Sequence, residues 1–338
     1  MHVAVLGATG AVGREILDQL GQSSLQVATL TCLASARSAG ETLTALGREH
    51  VVQEVTASAF AGVDITLFSA GGGSSTVWAP VAVAAGAVVI DNSSAWRMHH
   101  DVPLVVPEVN RFALRQHKGI IANPNCSTIQ MVLPLKALHD AVGIERVVVS
   151  TYQSASGAGQ AGIDELWRGV GDAVSGRPVG NDVFARPLAM DVIPHIGDFQ
   201  SDGYTTEEQK MLDETRKIMS LPSLEVSATC VRVPVPRVHL ESVTVDLRAA
   251  ISADDARVAF AKVPGLEVLD DPRSHGYPMA RDAIGRRETF VGRVREDSCR
   301  PRTLHFWVVS DNLLKGAAWN AVQLAEALHE DGLVHSRT

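Results

Sequence analysis

The chain has 338 residues, more than one ordinary core accommodates, so two domains are expected. Hydrophobic residues make up 46% and charged residues 20%, which excludes a disordered chain and indicates packed cores. The formal charge of −8, with Lys and Arg scattered along the chain, excludes a basic nucleic-acid surface. Any anion must therefore be met by local Arg, Lys or backbone N–H groups. The start MHVAVLGATGAVG lacks the basic stretch and small-residue cleavage site of a signal peptide. The longest uncharged run, Ile65–Ile90, is interrupted by Gly71-Gly72-Gly73-Ser74-Ser75 and Pro80, so no membrane helix is expected. Cys32, Cys126, Cys230 and Cys299 form no CxxC pair and no zinc-like spacing. A reduced, cytoplasmic protein without a metal centre is the expectation.

In chain order, His2–Leu6 is a short apolar strand and Val12–Leu20 carries helical apolar spacing. Val27–Leu33 and Val63–Ser69 are further strand-like runs, with a turn through Gly71–Ser75. Val77–Ala85 then reads as helix and Ala87–Asp91 as strand. This alternation predicts a parallel sheet with crossover helices. After Asn123-Pro124-Asn125 the pattern changes. Ser127–Asp140 reads as a helix with a kink at Pro134. Long β-type runs follow at Glu145–Gln153, Ala228–Val235, Ser242–Ala249 and Thr303–Ser310. Several have no helix between them, which predicts a mixed or antiparallel sheet. Ala173–Asp202, rich in Gly, Pro and Asp, reads as a surface excursion, and Leu313–Asp331 as an amphipathic helix. The fold class expected is α/β: a Rossmann-type domain over residues 1–124, with the helix of 313–338 packing back on it, and an α/β domain with a mixed sheet over 125–312; the family resemblance given below implies that the first binds a nucleotide and that the second is the catalytic and dimerisation domain.

Gly7-Ala8-Thr9-Gly10-Ala11-Val12-Gly13 lies directly between the first strand and the first helix. Glycines there permit a tight turn and close approach of backbone to a pyrophosphate, which the helix N-terminus then receives. The next strand ends Cys32-Leu33-Ala34-Ser35-Ala36-Arg37-Ser38, without the acid that binds the ribose hydroxyls of NAD. Arg37 with the hydroxyls of Ser35 and Ser38 suits a 2′-phosphate, so NADP(H) is the expected cofactor.

Asn123-Pro124-Asn125-Cys126-Ser127-Thr128 places a cysteine, among polar neighbours, in a turn entering a helix. The helix dipole and nearby N–H donors favour thiolate, the form that attacks a carbonyl carbon or acyl phosphate. Cys32 and Cys230 lie in apolar strands and read as small buried hydrophobes, and Cys299 as a bystander in a charged loop. GATGAVG, NPNCST, the run from Cys230 through Val233-Pro234 to His239, and SDNLLKGAA from Ser310 to Ala318 together resemble the aspartate-semialdehyde dehydrogenase family over nearly the whole chain.

That resemblance implies NADPH-dependent reduction of L-aspartyl-4-phosphate to L-aspartate 4-semialdehyde through a thioester on Cys126, with release of inorganic phosphate. It also implies a homodimer. Gln153 would orient the acyl group, and His239 would serve as general acid/base, its ordinary pKa suiting proton transfer near neutrality. Arg232 would bind the α-carboxylate by a bidentate fork. Its spacing of seven from His239 is odd and puts the two on opposite faces of a continuous strand, unless Pro234 and Pro236 reset the register. Glu207 would take the amino group; Lys210, on the same helical face, and Arg97, with Asn125, would take phosphate. Ser156, Gly157 and Asn312 would lie at the nicotinamide end. Without the resemblance, Glu207–Lys210 also reads as a solvated helix pair, His239 as a structural histidine and His99-His100 as a solvated loop pair. Three other readings compete with it: N-acetyl-glutamyl-phosphate reductase or another acyl-phosphate or acyl-thioester reductase of the superfamily, and, from other classes, a non-catalytic nucleotide-binding regulator and a nucleic-acid module.

Overall fold

In the computed structural model, which describes residues 1–334, the chain divides into two units: Met1–Asn125 with the segment from Ala317 onward, and Cys126–Gly316. The first unit holds the strands β1 (His2–Leu6), β2 (Thr29–Ala34), β3 (Thr42–Ala45), β4 (Arg48–Val51), β5 (Gln53–Glu54), β6 (Ile65–Phe68), β7 (Val88–Asp91) and β8 (Ile120–Ala122). Its helices include α1 (Ala11–Leu20), α2 (Gly72–Ala84), the short α3 (Pro107–Asn110) and the C-terminal helix Trp319–Glu330. Six strands form one parallel sheet in the order β5-β2-β1-β6-β7-β8, and β3 pairs with β4 in a hairpin.

Both faces of this sheet are covered, which is why β1 is apolar at successive positions. Val3 and Val5 join a core with Ile16, Leu17, Leu324 and Leu328, while Ala4 and Leu6 join another with Phe60, Phe68, Ala79 and Ala82. The chain reverses direction across the sheet between β1 and β6, and this switch point opens a crevice at the carboxyl ends of the strands. The strand, turn and helix expected in the run Ile65–Ile90 are present, but α2 begins at Gly72, five residues before the expected Val77.

The second unit holds α4 (Cys126–Val142), β9 (Ile144–Gln153), α5 (Gly159–Val174), α6 (Thr206–Met219), β10 (Glu225–Arg232), β11 (His239–Leu247), α7 (Ala253–Phe260), β12 (Leu266–Val268), a short α8 (Ala280–Ala283), β13 (Thr289–Glu296) and β14 (Thr303–Ser310). The mixed sheet runs β10-β9-β11-β14-β13-β12, with β10 parallel and β11 antiparallel to β9. Inward residues of β9, β10 and β11 alternate with half-buried ones. α4 and α6 pack against these strands. On the other face Tyr152 and Trp307 lie with ring centroids 5.3 Å apart.

Several boundaries differ from expectation. β10 stops at Arg232, since Pro234 and Pro236 cannot donate to a ladder, and β11 starts three residues early, at His239. α4 runs through Pro134 to Val142. The C-terminal α-helix begins at Trp319, after a π-helical turn over Leu314–Ala318.

The glycine turn after β1 has little space to spare. A Cβ on Gly13 would overlap the Gly7 carbonyl oxygen, and backbone on both sides leaves no flexible neighbour to yield. Gly13→Ala is expected to cost roughly 3 kcal/mol or more, read as a lower urea midpoint at unchanged slope. A midpoint within error of wild type would contradict the packing described.

Candidate active site

In the first unit, the carboxyl ends of β1, β2, β6, β7 and β8 line up along one edge. Gly7, with φ of +84°, follows β1, and its N–H bonds the Leu33 carbonyl at 2.8 Å. A Cβ on Gly7 would sit 2.7 Å from the Ser69 oxygen, at the end of β6, so the turn lies in the switch-point crevice. Gly10 is the N-cap of α1 and has no side chain to cap it, and the first turn carries no acid. That leaves its N–H groups suited to an anion. Ala11, Val12 and Gly13 form this turn. The Thr9 hydroxyl reaches the Ser38 hydroxyl at 3.5 Å, joining the turn to the loop after β2. There Ser35 caps a short 3₁₀ turn, Ala36–Ser38, and Arg37 is exposed. On the same edge, buried Arg97 donates to the Asn123 carbonyl (2.9 Å) and the Asn92 carbonyl (2.7 Å), in the loops after β8 and β7. Asn125 ends this unit, buried.

In the second unit, three neighbouring strand ends meet. Gln153 closes β9, Arg232 closes β10 opposite it, and His239 opens β11 on the other side. The odd spacing of Arg232 and His239 is resolved because they sit on different strands, joined by a loop over the end of β9. Cys126 is the first residue of α4 and is half-buried. Burial lowers the Arg232 pKa, and Glu207, Cys126 and Cys230 oppose that. A Cβ on Gly316 would come 2.9 Å from that of Cys126.

α6 is started by a capping box in which Thr205 and Glu208 exchange hydrogen bonds, and Glu208 also accepts the Cys230 N–H at 3.0 Å. This pins the helix to β10 and aims buried Glu207 inward. Glu207 accepts from Gln153 Nε2 at 3.3 Å and from Lys210 Nζ at 3.1 Å. Arg232 Nη1 donates to the Ser154 carbonyl at 2.7 Å, with its guanidinium over the Phe184 ring. Gly157 is needed beside it, since a Cβ there would lie 2.6 Å from Nη1. The Asn312 side-chain oxygen accepts from Ser156 Oγ (3.0 Å), Ser154 Oγ (3.2 Å) and the Val238 N–H (2.9 Å).

His239 departs from the expectation of an ordinary pKa. Burial, reinforced by Arg232, pulls it down to about 3. Cys32 and Cys230 are buried as expected. Burial raises the Cys32 thiol to about 11 and pushes Cys230 up as well. Cys299, His99 and His100 are exposed.

Three residues of this region escaped the sequence reading: Ser154, Gly316 and Glu241. Glu241 is two residues beyond His239 on the same face of β11 and fully buried. Neither carboxyl oxygen has a hydrogen bond of good geometry among the described residues. Burial raises its pKa well above 4.5, opposed by the Gln130 amide one helical turn past Cys126. The available signal was an acid at an inward position of an alternating strand.

The comparisons with known proteins agree with this picture. A semialdehyde dehydrogenase NAD-binding domain matches residues 2–117, and a semialdehyde dehydrogenase dimerisation domain matches residues 135–315. The fold is thus that of a semialdehyde dehydrogenase, an oxidoreductase with a nicotinamide dinucleotide-binding domain. Aspartate-semialdehyde dehydrogenase of Bacillus subtilis is 49% identical over 342 residues, covering 99% of each chain. The crystal structure of aspartate semialdehyde dehydrogenase II complexed with ASA from Vibrio cholerae has a TM-score of 0.94 and 47% identity, covering 98% of each chain. The Candida albicans enzyme with NADP has a TM-score of 0.75 and 26% identity, covering 98% of this chain and 99% of that one. The chain belongs to the aspartate-semialdehyde dehydrogenase family.

The buried acid has a consequence for stability. The folded protein holds the Glu241 proton more tightly than the unfolded chain does. Unfolding therefore releases a proton at pH values above 4.5, and this contribution to stability falls as pH rises toward the raised folded value. Glu241→Gln, which cannot ionise, is expected to gain in Tm relative to wild type as pH goes from about 5 to about 8. A Tm difference that stays flat across that range would show that Glu241 ionises without penalty.

Proposed function

We propose that the protein reduces L-aspartyl-4-phosphate to L-aspartate 4-semialdehyde with NADPH, releasing inorganic phosphate, in the route to lysine, threonine, methionine and isoleucine. The observation that carries this reading is the gathering of Gln153, Glu207, Arg232 and His239 around the start of the Cys126 helix. Cys126 attacks the acyl carbon as thiolate, phosphate departs, and a thioester remains. Gln153 orients the acyl group, Arg232 takes the α-carboxylate and Glu207 the ammonium group. Arg97, Asn125 and Lys210 receive phosphate. Bound NADPH supplies two electrons as hydride. It would be held by the Gly7–Gly13 turn, with Ser156, Gly157 and Asn312 toward the nicotinamide and Ser35, Arg37 and Ser38 toward the 2′-phosphate.

Glu207 also separates this reading from an N-acetyl-glutamyl-phosphate reductase. An acetylated nitrogen carries no charge to match a buried carboxylate, whereas an ammonium group does. The dimerisation-domain match supports a homodimer.

The direct test is the reverse assay with aspartate semialdehyde, NADP and phosphate, followed by absorbance of the reduced nicotinamide. Activity is expected to require all three. Turnover without phosphate, or a preference for the N-acetylated glutamate semialdehyde, would overturn the reading. Cys126→Ser should bind NADPH normally yet turn over at background, because an alcohol is scarcely ionised near neutrality. Arg37→Ala should raise the KM for NADPH about tenfold or more, the loss of a charge-assisted contact worth roughly 1.5–3 kcal/mol, and leave that for NADH unchanged. Equal effects on the two cofactors would remove Arg37 from the 2′-phosphate site.

A further inference from the structure

The stretch between α5 and α6, residues 175–205, meets Arg232 at two points. Ile193 pairs with Arg232 through the backbone: the Ile193 N–H donates to the Arg232 carbonyl at 2.9 Å, and the Arg232 N–H to the Ile193 carbonyl at 2.8 Å. Phe184 meets the side chain instead. Its ring centroid lies 5.6 Å from the guanidinium carbon, within reach of a cation–π contact. The end of β10 is thus extended by one backbone pair, and the charged head that leaves it is covered on one face by an aromatic ring.

Phe184 is itself held. The carboxylate of Glu165, buried on α5, accepts three successive backbone N–H groups: Asp182 at 2.6 Å, Val183 at 2.5 Å and Phe184 at 3.3 Å. Hydrogen bonds to an ionised acceptor are about twice as strong as neutral ones, so this loop is ordered by the helix beneath it. Arg168 closes the arrangement, 2.6 Å from the Asp182 carboxylate and 3.8 Å from that of Glu165. The Asn181 amide donates to the Phe184 carbonyl at 3.0 Å, and the ring packs on the small core of Ala155, Leu166, Leu188 and Ile193. Gly162 leaves the room: a Cβ there would come 3.0 Å from Phe184 Cζ and 2.5 Å from the Ala155 carbonyl oxygen.

The guanidinium is specified at its edge as well. Nη1 donates to the Ser154 carbonyl at 2.7 Å, and Gly157 leaves open the space beside Nη1 that a Cβ would fill. A carbonyl alone lets the group turn about that one bond, and a ring alone lets it spin over the ring face. The two together fix the plane of the fork. The ring contact also uses none of the five N–H donors, all of which lie in that plane.

We propose that Phe184 is a positioning residue that clamps the Arg232 guanidinium in the plane that receives the substrate's α-carboxylate, and that Glu165 sets the clamp by ordering residues 182–184. This rests on the assignment of Arg232 to that carboxylate in the reading above. Closing one face of the guanidinium also keeps water from that side of the ion pair, which strengthens the attraction. The clamp therefore contributes affinity at a single group of the substrate, and only for a substrate that carries it.

The test is the reverse assay with phosphate and NADP, run on L-aspartate semialdehyde and on 3-aminopropanal, the same amino aldehyde without its carboxylate. Where the second turns over too slowly, its affinity is read as competition against the first. Phe184→Leu should raise the KM for aspartate semialdehyde about threefold to thirtyfold, with much smaller effects on kcat and on the KM of phosphate and NADP. Its affinity for 3-aminopropanal should match wild type. A ring-fluorinated phenylalanine at position 184, which keeps the shape and weakens the negative face of the ring, should raise the same KM part of the way. Glu165→Gln should repeat the pattern from a distance, and it carries the comparison if Phe184→Leu does not fold. A wild-type KM in folded Phe184→Leu, or equal losses on both aldehydes, overturns the clamp. A readout without turnover is the Arg232 side-chain N–H signal in a ¹H–¹⁵N spectrum of the full-length enzyme, identified by its loss in Arg232→Lys. It should lie upfield of the other arginines through the ring current of Phe184, and an ordinary position in the wild-type enzyme overturns the stacking. Wild-type enzyme that takes both aldehydes equally well overturns the carboxylate role of Arg232, whereas discrimination that survives intact in Phe184→Leu overturns the clamp alone.

Discussion

One residue at the end of β9 governs the catalytic edge. The Ser154 N–H meets His239 and the Ser154 carbonyl meets Arg232, so the two peptide groups that flank its Cα space an imidazole and a guanidinium. The topology makes this possible. β10 runs parallel to β9 and ends at this edge, whereas β11 runs antiparallel and starts here. The loop between them must cross the end of β9, and it is stitched there by the Ala155 N–H to Val235 and the Ser156 N–H to Pro236. A uniformly parallel sheet would have carried the start of β11 to the far edge.

Holding such groups out of water is costly, and the surroundings show how the cost is met. Arg232 keeps a carbonyl, an aromatic face and the nearby Glu207 carboxylate as partners. Glu208, one residue past Glu207, spends both its oxygens on backbone N–H groups, so it fixes α6 instead of adding an unmatched charge. Glu241 follows a different course: its burial favours the protonated form. The strain at Val238, where φ is +84°, is tolerated because Asn312 and the Arg237–Asp311 pair over-determine that turn.

The parallel sheet was largely legible in the sequence because its strands are buried on both faces and read as short apolar runs. Its chemistry sits in loops, where glycine and arginine stand out. The mixed sheet was also legible as a class, from β runs without intervening helices. The ends of β10 and β11 were misplaced because apolar composition carries on through Val233 and Val235, while the prolines decide the hydrogen bonding. Ser154 was invisible for a plain reason: it acts through its backbone, and a backbone N–H has no letter in a sequence. Gly316 was hidden likewise, its meaning being the Cβ of Cys126 that it makes room for.

A subtler signal was present in the strands themselves. The inward positions run Ala228, Cys230, Arg232 on β10; Val149, Thr151, Gln153 on β9; and Val243, Glu241, His239 on β11. Each turns from apolar to polar toward the same edge, and the registers align the rows Ala228–Val149–Val243 and Cys230–Thr151–Glu241 across the sheet. A polar residue at one inward position is an ordinary local defect. Three strands that make the same transition at the same end cannot all be defects, because each buried polar group costs stability unless something compensates it. Direction matters as well. β10 and β9 become polar toward their carboxyl ends and β11 toward its amino end, so the polarity gradient encodes the strand directions along with the place of the site.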